Sequence, residues 1–349
     1  MQEEPLMNLA DLNEVAQAMV APGKGILAAD ESSPTITKRF NAIGVASTDE
    51  NRRDYREMMF RATDAMTKYI SGVILYDETI WQNAKDGTPL IKLIEQAGAI
   101  PGIKVDEGTQ PLPACPGELV TVGLDRLAER LRKYYAQGAR FAKWRAVIDI
   151  NTADRIPSMT AIGVNAHALG RYAALCQAAQ IVPIVEPEVL MDGDHDIDRC
   201  FEVTTRVLNV TFQELRKQRV ALEGMILKPN MAVPGKKSGK NVSVEEVAER
   251  TVRMLKACVP AAVPGIAFLS GGQSDEEATA HLDAMNRIDN LPWRLTFSYG
   301  RALQAAPQKA WSGKSENVAA GQRALIHRAR MNSLASKGEW RADLEEKAA

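Results

Sequence analysis

Short runs of apolar and β-branched residues alternate along the chain with longer stretches in which apolar side chains recur every three to four positions. The first pattern predicts buried strands and the second amphipathic helices, and their regular succession predicts a parallel sheet built from βα units. Eight strands are read in this way. They are GILAAD at 25–30, SGVILY at 71–76, PGIKVD at 101–106, RFAKWRAV at 140–147, IVPIVEPE at 181–188, EGMILKPN at 223–230, GIAFLSGG at 265–272 and RLTFSYG at 294–300. Stretches such as LDRLAERLRKYYAQ and VEEVAERTVRMLKAC, each apolar on one face, supply helices between them.

Eight such units predict an α/β fold of the closed (β/α)8 TIM barrel type, about residues 22–302, in a single domain. An open doubly wound sheet is the alternative, but no early G-x-G-x-x-G turn supports a dinucleotide fold. Beyond the barrel, about 303–349, the chain adds a helical segment, ENVAAGQRALIHRARMNSLASKGEW. A charged tail, RADLEEKAA, follows and is expected to be mobile.

Barrel active sites form where the strands end, so charges at those ends matter most. Strand 1 ends in Asp30, strand 3 carries Lys104 and strand 4 carries Lys143 and Arg145. Strand 5 carries Glu186 and Glu188, and strand 6 ends in Lys228 with Pro229 next. Alternation puts Lys143 with Arg145 on one strand face and Glu186 with Glu188 on another. A lone strand lysine more often snorkels to water, and a lone acid more often completes a salt bridge. Several such residues at the same end of five strands are not explained by fold stability, because each displaces an apolar side chain that would pack better.

After strands 7 and 8 come LSGGQS and SYGRALQ. Glycines let backbone N–H groups approach an anion, and these two loops hold phosphate in many barrels, so Ser270, Gly271, Gly272, Gly300 and Arg301 form a candidate phosphate cradle. Lys38, Arg39, Lys104 and Arg145 are candidates for a second anion, which together suggest a bisphosphate. The loop PGKKSGKNVS at 234–243 follows Lys228 and could serve as a lid, although an ordinary solvated loop is the preferred reading.

Composition narrows the alternatives. Lysine and arginine number 43 against 44 acidic residues, a formal net charge of −1, so no overall field points to nucleic acid or anionic membrane. Apolar runs fall short of a membrane span, and the acidic N-terminus lacks a secretory pattern, so a soluble cytoplasmic protein is expected. Cys115, Cys176, Cys200 and Cys258 are too scattered for a redox or zinc motif and are read as reduced core thiols. The histidines are equally scattered. DGDHDID at 192–198 resembles a calcium loop in part, but Ile197 stands at the glycine position and Val203 at the terminal glutamate, so it is read as a solvated loop capping the next helix.

A lysine within such a charge cluster suits nucleophilic attack on a carbonyl, giving a Schiff base that acts as electron sink for breaking a carbon–carbon bond. Its amine must be neutral, which desolvation and a neighbouring cation such as Lys143 both favour. Glu186 is the candidate for proton transfer in forming and dehydrating the carbinolamine, and Asp30, on another strand, for taking the proton from the hydroxyl at the breaking bond. Proline after Lys228 ends strand pairing and delivers the amine at the barrel rim.

The motifs GKGILAADES, GIKVDEG, FAKWRAV, VEPEV, ILKPNM, FLSGGQS and FSYGRALQ, in this order, resemble those of class I, Schiff-base, fructose-1,6-bisphosphate aldolases from about residue 8 to about 340. The resemblance implies Lys228 as the Schiff-base lysine, Glu186 as acid/base, and Lys143, Asp30 and Glu188 as catalytic partners. It implies that Ser270, Gly271, Ser298, Gly300 and Arg301 contact the phosphate next to the ketone, and that Ser32, Lys104, Arg39 and Arg145 serve the far phosphate. It also implies a barrel fold, reversible cleavage to dihydroxyacetone phosphate and glyceraldehyde 3-phosphate in glycolysis or gluconeogenesis, no metal or other cofactor, and a homotetramer. Two departures stand out. Ser33-Pro34-Thr35 replaces the family's usual Thr-Gly-Ser, and the chain ends EEKAA without a C-terminal tyrosine, with Trp340 where a family tyrosine often precedes the tail.

The alternatives are a Schiff-base aldolase preferring fructose 1-phosphate or sedoheptulose 1,7-bisphosphate, because the altered loop borders that end of the substrate, and a scaffold that kept the fold without turnover.

Overall fold

The computed structural model describes residues 7–346. The first three barrel strands are β1 (Gly25–Ala29), β2 (Ile70–Leu75) and β3 (Ile100–Lys104). A short antiparallel hairpin, β4 (Thr109–Pro111) and β5 (Leu119–Thr121), interrupts the series. The barrel resumes with β6 (Phe141–Ile148), β7 (Val182–Val189), β8 (Ile226–Leu227), β9 (Gly265–Phe268) and β10 (Arg294–Tyr299), all parallel, and β10 closes the ring against β1. Each of the eight expected strands is present.

The two faces of each strand explain both the fold and the place of the site. Inward-pointing Ile26, Ala28, Ile74, Phe141, Val182, Ile184, Ile226 and Ala267 form one apolar cluster. Leu12, Ala16 and Met19 of the helix Leu9–Met19 join that cluster, so this helix plugs the barrel floor. The alternate positions, among them Leu27, Ala142, Trp144, Val185 and Leu227, belong to the larger core shared with the surrounding helices. Further along the same inward faces the chemistry changes. Phe141 gives way to Lys143 and Arg145, Val182 and Ile184 to Glu186 and Glu188, Ile226 to Lys228, and Ala28 to Asp30. The floor is apolar and the C-terminal mouth is charged.

Phe141 fills much of that floor. A Cβ on Gly102 of β3 would lie 2.2 Å from its ring, so glycine there makes room for the aromatic side chain. Helix starts near the mouth are fixed by side-chain caps: Asp196 accepts from the Arg199 N–H before Ile197–Lys217, and Ser274 and Glu277 form a reciprocal capping box on Asp275–Asn286. The acidic stretch at 192–198 thus caps a helix, as its sequence suggests. Among the described residues no helix is long and apolar enough to cross a membrane.

Three expectations need correction. Strand β8 is only Ile226–Leu227, because 222–224 forms a 3-10 turn and Pro229 has no N–H to continue the ladder. Pairing nonetheless extends past it: the Lys228 N–H donates to Val185 at 2.8 Å, and the Pro229 carbonyl accepts from Leu269 at 3.2 Å. The charged tail is anchored at Glu345, which binds Arg328 at 2.6 Å, His327 at 2.9 Å and the Trp340 indole at 3.0 Å. Residues 347–349 of that tail, and 1–6 of the N-terminal stretch, lie outside the described residues. Finally, only Cys176 and Cys200 are buried thiols, whereas Cys115 and Cys258 are half-buried, Cys258 packing against the edge of the core.

Candidate active site

At the C-terminal mouth of the barrel lies a cavity of about 1040 Å³. Its lining includes Asp30, Lys143, Glu186, Glu188 and Lys228, and also Ser32, Arg39, Lys104, Arg145, Ser270, Gly271, Ser298, Gly300 and Arg301. One cation and one glycine proposed from sequence fall outside it. Lys38 is exposed on the helix Ser33–Asn41, whose period turns it away while Arg39 faces inward, and Gly272 lies just beyond the lining with Lys236 packed against it.

Strand register sets the inner cluster. Parallel pairing places Lys104 beside Lys143 and Arg145 beside Glu186. The Lys143 ammonium lies 2.7 Å from Asp30 Oδ2 and 3.3 Å from Glu186 Oε2, and the Lys228 ammonium lies 3.1 Å from Glu186 Oε1. Glu186 therefore bridges the two lysines. Its Oε2 is close to Lys143 in charge but makes no hydrogen bond with it. The side chains of Lys143, Lys228 and Glu186 are almost fully buried, so their charges must compensate one another.

Burial alone would raise the Asp30 carboxyl, but the ammoniums of Lys143, Lys228 and Lys104 outweigh it and hold its pKa at about 2. Burial likewise opposes the charge on Lys143, and Asp30 and Glu186 reverse that, raising its pKa above the ordinary lysine value. Both groups are ionised at neutral pH. Arg145 is also raised, with burial overcome by Glu188, whose carboxylate it binds directly.

Two ends of the cavity offer anion donors. At one, Ser270 and Gly271 follow β9, Ser298 lies on β10, and Gly300 begins the helix Arg301–Trp311. The Ser298 hydroxyl is buried without a partner, and Arg301 is exposed and makes no ion pair among the described residues. Both are thus available, and the helix N-terminus adds its own positive end. At the other, Ser32 and Thr35 hydroxyls sit 3.1 Å apart where the helix Ser33–Asn41 starts. Pro34 lies in the first helical turn, where its missing N–H costs nothing and its fixed φ suits the helix, so the departure from the family pattern fits the local backbone.

Sequence reasoning missed several lining residues. Asp106 binds the Lys104 ammonium at 2.7 Å, and Glu31 binds Arg39 at 2.5 Å. Asp106 was within reach, since it shares the inward face of Lys104 two positions on. Glu31 had no strand period to mark it. Asp77, Arg130 and Tyr134 also line the mouth, with the Tyr134 hydroxyl donating to Asp77 at 2.7 Å; they come from helices that no strand-end count samples. The 234–243 loop is tied down at its start by N–H donation from Gly235, Lys236 and Lys237 to the carbonyls of His195, Met191 and Gly193. Among the described residues no group of three or more His, Cys, Asp or Glu side chains is arranged to hold a metal ion.

The comparison with known proteins agrees with this geometry. Residues 11–349 match the model of the family described as fructose-bisphosphate aldolase class-I. A probable class 1 fructose-bisphosphate aldolase of Xanthomonas campestris pv. campestris is 57% identical over 336 residues, 96% of this chain and 100% of that protein. Fructose-bisphosphate aldolase 1 of Toxoplasma gondii is 52% identical, covering 95% of this chain and 91% of its own. The solved aldolase of Plasmodium falciparum, in a ternary complex with TRAP and a small-molecule inhibitor, superposes with a TM-score of 0.95 at 47% identity and 98% coverage of both chains. This chain belongs to the class I fructose-bisphosphate aldolase family.

Proposed function

We propose that the protein cleaves fructose 1,6-bisphosphate reversibly to dihydroxyacetone phosphate and glyceraldehyde 3-phosphate, with Lys228 as the covalent centre. The observation that carries this reading is a buried Lys228 ammonium 3.1 Å from Glu186, between two groups of anion donors in one cavity. Ser270, Gly271, Ser298, Gly300 and Arg301 receive the phosphate next to the ketone. Ser32, Arg39, Lys104 and Arg145 receive the far one, with Glu188 holding Arg145.

Lys228 first passes its ammonium proton to Glu186, and the neutral amine attacks the ketone carbon, its surplus N–H proton moving to the oxygen to give a carbinolamine. Glu186 donates a proton to the departing hydroxyl, water leaves, and an iminium forms. Asp30 then takes the proton of the C4 hydroxyl, the C3–C4 bond breaks, and its electron pair moves into the iminium to give an enamine and the free aldehyde. Protonation at C3 and hydrolysis return Lys228 and release the ketone product. Lys143 keeps Asp30 ionised and faces oxygen atoms that gain negative charge, which supports their stabilisation. The route uses no metal or added cofactor.

We read residues 1–349 as one aldolase barrel domain, cytoplasmic and assembling as a homotetramer. Preference for another ketose phosphate is the second reading, favoured by Pro34 and Thr35 lining the far-phosphate end. Measuring kcat/KM for fructose 1,6-bisphosphate, fructose 1-phosphate and sedoheptulose 1,7-bisphosphate in EDTA decides between them. The bisphosphate of fructose is expected to lead by at least tenfold, which corresponds to about 1.4 kcal/mol. A higher value for either of the other sugars would transfer the assignment to it.

A further inference from the structure

The loop 234–243 brings to the ketone-phosphate end of the cavity a cation that strand-end reasoning does not reach. Lys236 is exposed, and its side chain lies directly against Gly272: a Cβ on that glycine would meet Lys236 Cε at 2.0 Å and Nζ at 2.1 Å. In this conformation the end of the Lys236 side chain thus occupies the place that a side chain at position 272 would take. The counter-charge is Asp192, which lines the cavity, and the two stand 3.6 Å apart, beyond hydrogen-bond reach.

Met191 ties the two loops together. Its carbonyl accepts from the Lys236 N–H at 2.8 Å, and its sulfur accepts from the Gly272 N–H at 3.0 Å. A thioether is a weak acceptor, so Gly272, like Lys236, has a donor held by a partner that a phosphate oxygen would outcompete. The neighbouring Ser270 and Gly271 already face the cavity.

We propose that Lys236 is a further binding residue for the phosphate next to the ketone, exchanging Asp192 for the phosphate dianion when substrate enters. Asp192 is then a competitor for that ammonium, holding it at the rim until the anion arrives. The inference rests on the phosphate assignment made above, but not on which sugar is preferred.

The test compares KM for fructose 1,6-bisphosphate and fructose 1-phosphate, and inhibition by inorganic phosphate, in Lys236→Ala, Lys236→Arg, Asp192→Asn and Lys237→Ala. The last is a charge-matched control on the same loop. Because the Lys236 backbone N–H persists in every variant, the loop anchor is retained. Lys236→Ala is expected to raise both KM values and the inhibition constant roughly tenfold, the loss of one charge-assisted hydrogen bond. Lys236→Arg should restore most of it, Asp192→Asn should shift all three the other way, and Lys237→Ala should change them less than about twofold. No change in Lys236→Ala, an equal change in Lys237→Ala, or a rise confined to the bisphosphate would overturn the proposal. Borohydride trapping of substrate on Lys228, run in the same proteins, reports separately on the Schiff-base reading.

Discussion

Lys143 stands between two carboxylates and belongs to neither alone. Its ammonium is 2.7 Å from Asp30 and 3.3 Å from Glu186, so replacing any member of the trio leaves another buried charge under-compensated. On the proposed mechanism Asp30→Asn removes the base at the breaking bond, and kcat is expected to fall by roughly 10²–10⁴-fold with KM changed much less. The same substitution has a signature in acid. Because the folded carboxyl titrates at about 2 rather than near the ordinary aspartate value of 3.8, its share of stability is present above about pH 4 and is lost as pH falls towards 2. That share is about 2 kcal/mol, so denaturant unfolding from pH 5 to 2 should show a flatter loss in Asp30→Asn than in the unaltered protein. Parallel curves would show that Asp30 does not carry that stability.

The individual residues were unevenly legible. Lys143, Arg145, Glu186, Glu188 and Lys228 declare themselves because each breaks an apolar strand at its C-terminal end. Asp106 was readable by the same alternation. Lys236 was not, since nothing in a glycine- and lysine-containing loop says that one ammonium rests on Gly272.

At the scale of elements, alternation within each strand does two jobs: one face builds the shared core and the other runs from apolar floor to charged mouth. The floor requires small neighbours around Phe141. Gly102→Ala forces a Cβ to within 2.2 Å of its ring and is expected to destabilise the protein by about 1–3 kcal/mol, read by denaturant unfolding. Adding Phe141→Leu should recover part of that loss, whereas additive destabilisation would mean that the ring is not what Gly102 accommodates.

The eight strands and the helix Val244–Cys258 were visible because period and length agree with tertiary burial. The hairpin β4–β5 was not: three-residue strands, one of them wholly exposed, carry too short an alternation to register. The tail was misread because a charged composition suggests solvent, while Glu345 is recruited by Arg328, His327 and Trp340 from elsewhere in the chain.

Over the whole molecule the formal charge is only −1, and the cavity follows the same economy. Lys104, Lys143, Arg145, Lys228 and Arg39 each face a carboxylate of their own site. On the proposed function, binding a bisphosphate is for these five cations an exchange of partners, while Arg301, which makes no ion pair among the described residues, meets its phosphate without giving one up. Fold class was legible because it depends on a count of repeats, and the position of the site because barrel geometry gathers strand ends. The pairing was not, because it is a property of distances.

The central claim is that this network serves covalent chemistry at one amine. The most direct measurement is reduction with borohydride in the presence of fructose 1,6-bisphosphate and EDTA, followed by peptide mapping of the protein and of Lys228→Ala. A reduced adduct on Lys228, absent from the variant, together with a loss of turnover of at least about 10³-fold in that variant, is the expected result. An adduct on another lysine, or turnover preserved in Lys228→Ala, would contradict it.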